Sequence, residues 1–90
     1  MFEVLGFYKF IKIKSLKKNK DLLQDLLIRK KIRGTIIIAN EGLNGTISGD
    51  SKDIKSTIIK LKKIFSFKEF DNSNNSKSSF QPFHKPKVKV

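Results

Sequence analysis

The 90-residue sequence has no cysteine and no tryptophan, a single histidine and only two arginines. Without cysteine the chain holds no disulfide frame, no thiolate zinc site and no cysteine nucleophile, a composition that a reducing compartment permits. The lone His84 builds no histidine metal cluster without carboxylate help. No apolar run approaches the roughly 20 residues that cross a bilayer. The start, "MFEVLGFYKF", lacks the basic flank, long apolar middle and small-residue cleavage site of a secretory signal. These absences lead to the expectation of a soluble, cytoplasmic protein with no membrane partner and no cofactor. Acidic residues are scarce too, at 8 against 20 Lys and Arg, for a formal net charge of +12. Such an excess attracts polyanions by counterion release and long-range steering. All the bases except Arg29 and Arg33 are lysines. An AT-rich genome also produces such a surface, and specific base recognition usually recruits the arginine fork. Charge alone therefore leaves nucleic-acid contact and a merely solvated surface both open.

Ninety residues make one small domain, 1–90, with a single two-layer core. "FEVLGFYKFIKI" reads as a strand with apolar residues on both faces, which suggests cover on both sides. "SLKKNKDLLQDLLIRKKIRG" reads as a helix with Ser15 or Asn19 as cap and Gly34 as stop. Its apolar stripe is Leu22, Leu23, Leu26 and Leu27. Asp21 and Asp25 lie early and Arg29, Lys30 and Lys31 late, as the helix dipole favours. "RGTIIIAN" and "LNGTISG" are further strands. "DSKDIKSTIIKLKKIF" is a second helix, presenting Ile54, Ile58, Leu61 and Phe65 to the sheet. "SFKEFD" reads as a short strand, and the Asn/Ser-rich stretch 72–79 as a mobile surface loop. The closing "PKVKV" alternates Val88 and Val90 with Lys87 and Lys89, as a half-buried strand starting at an edge.

That order, βαββαβ, is the ferredoxin-like α+β pattern: an antiparallel sheet with two helices on one face and the other face open. In that topology the last strand lies beside the first. Tyr8 and Phe10 would then neighbour Lys87 and Lys89, giving an open face of aromatics rimmed by lysines.

The segment "ANEGLNGTISG" joins the middle strands. Gly42 suits a hairpin turn, Asn40 tolerates the same conformation, and Asn44-Gly45 offers a competing turn or a bulge. A row of exposed amides there would also suit an anion, but neither a P-loop nor a dinucleotide fingerprint is present. Glu41 is the acid of this motif and has no partner acid or nucleophile beside it in sequence. "NGTISG" is similar to a segment of the acylphosphatases, whose chemistry needs an arginine in the loop after the first strand. Here that loop, "KIKSLKKN", has lysines, which do not reproduce the forked grip. RNA-recognition domains of the same fold stack bases on aromatics of two central strands. Tyr8 or Phe10 would serve on the first, but "LNGTIS" has no aromatic.

"FYKFIKI", "GTIIIANEGLNGTISG" and "FHKPKVKV" together resemble the N-terminal domain of the bacterial tRNA uridine hydroxylases, rhodanese-domain proteins that use oxygen to convert the wobble uridine of tRNA to 5-hydroxyuridine. The family motif falls on Glu41, Gly42, Asn44, Gly45 and Thr46, and more loosely on Phe83, His84 and Lys85. The resemblance implies an acylphosphatase-like domain whose catalytic cysteine partner is a rhodanese domain, in cis or on a separate chain, outside residues 1–90. No catalytic residue is then expected here. The expected role is an accessory one, positioning tRNA through Lys12, Lys14, Lys17, Lys18, Lys87 and Lys89, with Tyr8 and Phe10 as an interface. The alternatives are a protein-interaction domain docking a partner through its open face, and an acylphosphatase-type enzyme.

Overall fold

Period-two alternation sorts the first strand onto two faces. In the computed structural model, which describes residues 1–90, β1 (Phe2–Phe10) turns Leu5 and Phe7 into the core and Tyr8 and Phe10 outward. The elements that follow are α1 (Leu16–Arg29), β2 (Arg33–Ala39), β3 (Gly42–Asp50), α2 (Ser51–Phe65), β4 (Asn72–Ser78) and β5 (Pro86–Lys89). Both helices cover one face of the sheet. Leu23, Leu26 and Leu27 of α1 and Ile54 and Leu61 of α2 are buried there against Ile36, Ile38, Leu43 and Ile47. Ile58 and Phe65 are only partly buried, and Leu22 is exposed, beyond the edge of the stripe.

The helix ends depart from expectation. Ser15 holds the position before α1 in a left-handed conformation, and its hydroxyl caps nothing. Asn19 lies inside the helix and donates to the Lys14 carbonyl. No acid lies in the first turn of α1; Asp21 and Asp25 pair with Lys17 and Arg29 four residues away. Lys31, at φ 57°, reverses the chain after α1, whereas Gly34 sits within β2.

The strand order is β4-β1-β3-β2-β5. The ferredoxin-like class holds, with a fifth strand that makes the sheet mixed. Three expectations are corrected. The stretch 72–79, expected as a mobile loop, contains β4, paired antiparallel with β1 from Phe2↔Ser78 to Tyr8↔Asn72. Its residues are almost all exposed, so no hydrophobic period marked it. The ladder is reinforced where Asn75 donates to Glu3 at 2.8 Å and Asp71 accepts the Phe10 amide at 2.6 Å. The final strand is not beside β1. It runs parallel to β2 at the opposite edge, from Gly34↔Pro86 to Ile37↔Lys89, with Val88 buried and Val90 exposed. "SFKEFD" forms no strand; instead Phe67 and Phe70 close one end of the core, with the Phe7 and Phe70 ring centroids 4.8 Å apart.

Residues 79–85 must carry the chain from one sheet edge to the other. They cross the face away from the helices, at the end remote from the β2–β3 hairpin. Ser48, on that face, is fully buried and its hydroxyl donates to the Gln81 side-chain oxygen. Arg33 donates to the Phe83 carbonyl at 3.4 Å, and the Gly34 amide to the Lys85 carbonyl at 3.1 Å. The expected open face is thus half covered by the chain's own strap, and bare only toward the hairpin.

Candidate functional site

Strand register arranges the bare half into rows. One row reads Asn72, Tyr8, Asn44, Ile37, Lys89 across all five strands. The next reads Asn74, Gly6, Thr46, Thr35, Lys87. Between them lies a shallow depression of about 790 Å³. Gly6 lowers its floor: a Cβ there would find Thr46 Oγ1 as its nearest neighbour, 3.8 Å away. Tyr8 and Phe10 stand on the hairpin side, 40% and 70% exposed, ring centroids 5.3 Å apart and edge-on at 68°. Phe83, from the strap, lines the other side.

Lys87 and Lys89 point to this face but are separated from Tyr8 and Phe10 by β3 and β2, which corrects the expected adjacency. The physical reason is the parallel pairing of β5 with β2, a contact that only long-range packing selects. The other expected lysines lie elsewhere. Lys12 and Lys14 are exposed on the loop between β1 and α1, and Lys17 and Lys18 are exposed in the first turn of α1. That loop is sewn to the hairpin: the Ile11 amide donates to the Glu41 carbonyl at 3.1 Å, the Ile13 amide to the Asn40 carbonyl at 2.9 Å, and the Asn40 side chain to the Ile13 carbonyl at 3.0 Å. The six lysines therefore form two groups, one at the hairpin end and one along the β5 edge.

The Glu41–Thr46 motif is split by its geometry. Asn40 and Glu41 form the two-residue turn, and neither has positive φ. Gly42 has φ 156° and lies so near β1 that a Cβ would come within 2.2 Å of the Lys9 carbonyl oxygen. Asn44, Gly45 and Thr46 continue β3 in unbroken register, so there is no second turn or bulge. Asn44 and Thr46 face the depression; Glu41 lies on its rim. His84 and Lys85 are exposed on the strap, away from that motif in the chain and joined to β2 through the Lys85 carbonyl. No group of three or more acidic or histidine side chains converges to hold a metal. Thr35 and Ile37 belong to the face but were not singled out by sequence; Phe83, which the family motif touches loosely, lines it too. In "TIIIA" every residue is apolar or β-branched, so periodicity cannot say which side chains face out.

No helix is long and apolar enough to cross a membrane. Comparison with known proteins bears on what the arrangement is for. The tRNA uridine(34) hydroxylase of Pelagibacter ubique (strain HTCC1062) is 72% identical over 90 residues, covering 100% of this chain and 30% of that protein. The protein of the same name from Bartonella quintana (strain Toulouse) is 36% identical over 91 residues, covering 99% of this chain and 29% of that protein. The chain thus spans less than a third of the length of these curated relatives. The structure of an acylphosphatase from Coxiella burnetii superposes with a TM-score of 0.71 over 98% of this chain and 93% of that one, at 9% identity, a likeness of fold. The UPF0176 acylphosphatase like domain matches residues 2–90, and the chain belongs to that family.

Proposed function

We propose that this chain is the accessory tRNA-binding and positioning domain of a tRNA wobble-uridine 5-hydroxylase. The observation that carries the reading is the similarity, over the whole of this chain and under a third of theirs, to relatives named tRNA uridine(34) hydroxylase, in a chain of net charge +12. With no cysteine, the chain supplies no thiolate chemistry. The hydroxylation belongs to a neighbouring rhodanese domain, in cis or on a separate chain. Lys12, Lys14, Lys17 and Lys18 at the hairpin end and Lys87 and Lys89 along the edge neutralise backbone phosphates. Two groups held apart by a rigid sheet orient the RNA without reading its sequence.

Titration of tRNA at low and raised salt tests this. Neutralisation of six phosphates gives a slope of about −4 to −5 in log affinity against log salt. Reversal of Lys87 and Lys89 to glutamate weakens binding and flattens that slope. No binding at low salt overturns the reading.

A second reading is favoured by the exposure of Tyr8, Phe10 and Ile37: the bare half-face docks a partner domain. Reversal of the lysines then leaves the complex intact, while substitution of Tyr8 and Phe10 disrupts it. An acylphosphatase-type activity has little support, because the loop after β1 carries lysines and no arginine.

A further inference from the structure

We infer that the bare half of the sheet takes an unpaired nucleotide of RNA, with its base stacked on Tyr8 and its flanking phosphates toward Lys87 and Lys89. This rests on the RNA-binding reading above and goes further, because it assigns a site for a base as well as for phosphates.

The two rows that bound the depression supply what an unstacked nucleotide needs. Tyr8 offers a ring exposed to solvent, and Phe10 stands beside it in an edge-to-face pair. Asn44 is the direct cross-strand neighbour of Tyr8, and its amide carries both donors and an acceptor for a base edge. The glycine at position 6 and the short side chains of Thr46 and Thr35 leave the floor low in the next row. Each row ends on β5 at an exposed lysine. Tyr8 and Lys89 lie three strand spacings apart, about 14 Å, and a lysine stem reaches part of the way back.

Charge favours the same occupant. Neither row contains an acid, nor does the following row of Ser76, Val4, Ser48 and Arg33. Glu41 is the acid on the rim, at the hairpin end, away from the lysine edge. A buried protein–protein contact is usually depleted in lysine and spreads over about 800 Å² per partner. Here the strap already covers half of the face, and the remainder ends in lysines.

Tyr8 is the only tyrosine and there is no tryptophan, so the intrinsic fluorescence of the chain reports on this ring alone. Oligouridylate, which is single-stranded, is titrated against that signal, with a self-complementary RNA duplex of equal length as control. Oligouridylate quenches the emission saturably; the duplex binds through phosphates and leaves it nearly unchanged. By anisotropy of labelled RNA, Tyr8→Leu weakens oligouridylate binding about 5- to 150-fold, the range for one base–aromatic stack. Tyr8→Phe keeps most of the affinity, and duplex binding changes in neither variant. If oligouridylate binds with unchanged emission, or Tyr8→Leu binds as well as the parent, the stacking site is refuted while phosphate binding stands. If quenching is produced by an added rhodanese domain and not by oligouridylate, the face is a protein interface and the inference fails. Absence of any RNA binding at low salt fails the broader reading instead.

Discussion

The two faces of the sheet are built from the same strands yet are completed in different ways. On one, Leu5, Ile36, Ile38, Leu43 and Ile47 meet two helical stripes and almost no surface remains. On the other, a strap with a few polar anchors covers half and leaves Tyr8, Phe10 and Ile37 in water. The first face is closed by apolar area, a driving force proportional to surface and indifferent to detail. The second is closed by individual hydrogen bonds, each of small net value. Stability therefore resides on one side and freedom to bind on the other.

The largest way to break the contrast is to hollow the closed face. Leu27→Ala, at a fully buried position, should cost about 2–5 kcal/mol in urea denaturation, whereas Ile37→Ala on the bare half should cost well under about 2 kcal/mol. Equal losses would mean that the bare half is as tightly packed as the core. A backbone change comes next. Gly34 has φ 116°, and a Cβ there would lie 2.2 Å from the Thr46 carbonyl oxygen, where β2 meets both β3 and the strap. Gly34→Ala should destabilise by about 2 kcal/mol or more in the same measurement. The smallest effect sharpens the comparison most. Gln81→Ala strands the buried Ser48 hydroxyl and should cost about 1–2 kcal/mol. Hydrogen exchange at the Gly34 amide, bonded to Lys85, should accelerate while amides of β1 and β3 keep their protection. Uniform acceleration would mean that the strap and the core open as one unit.

Both helices and four of the strands, β1, β2, β3 and β5, were legible because their apolar side chains alternate, run together or recur with a period. The stripes through Leu23, Leu26 and Leu27 and through Ile54 and Leu61 faced the core as their spacing requires. β4 was not legible. Its run of Asn and Ser buries nothing, so its only mark is a backbone ladder that any residues can make. Gly34 was misread as a helix stop because glycine serves two purposes; α1 ends at a left-handed lysine, and the glycine instead allows strands to approach. The lysines of the candidate site were all identifiable as exposed, but their grouping was not. Where Lys87 and Lys89 stand relative to Tyr8 depends on which edge receives β5.

Periodicity is a local property, carried by neighbours along the chain, and it was enough to specify the two helices, the side of each that seeks cover, and the existence of the inner strands. The charge excess and the lack of thiols likewise follow from composition. Which strand lies beside which, and therefore that Tyr8, Asn44, Ile37 and Lys89 share one row, is a pairing between segments far apart in sequence. The strap over Ser48 is another such contact. Both are settled only when the chain closes its loops and the competing partners are compared in three dimensions.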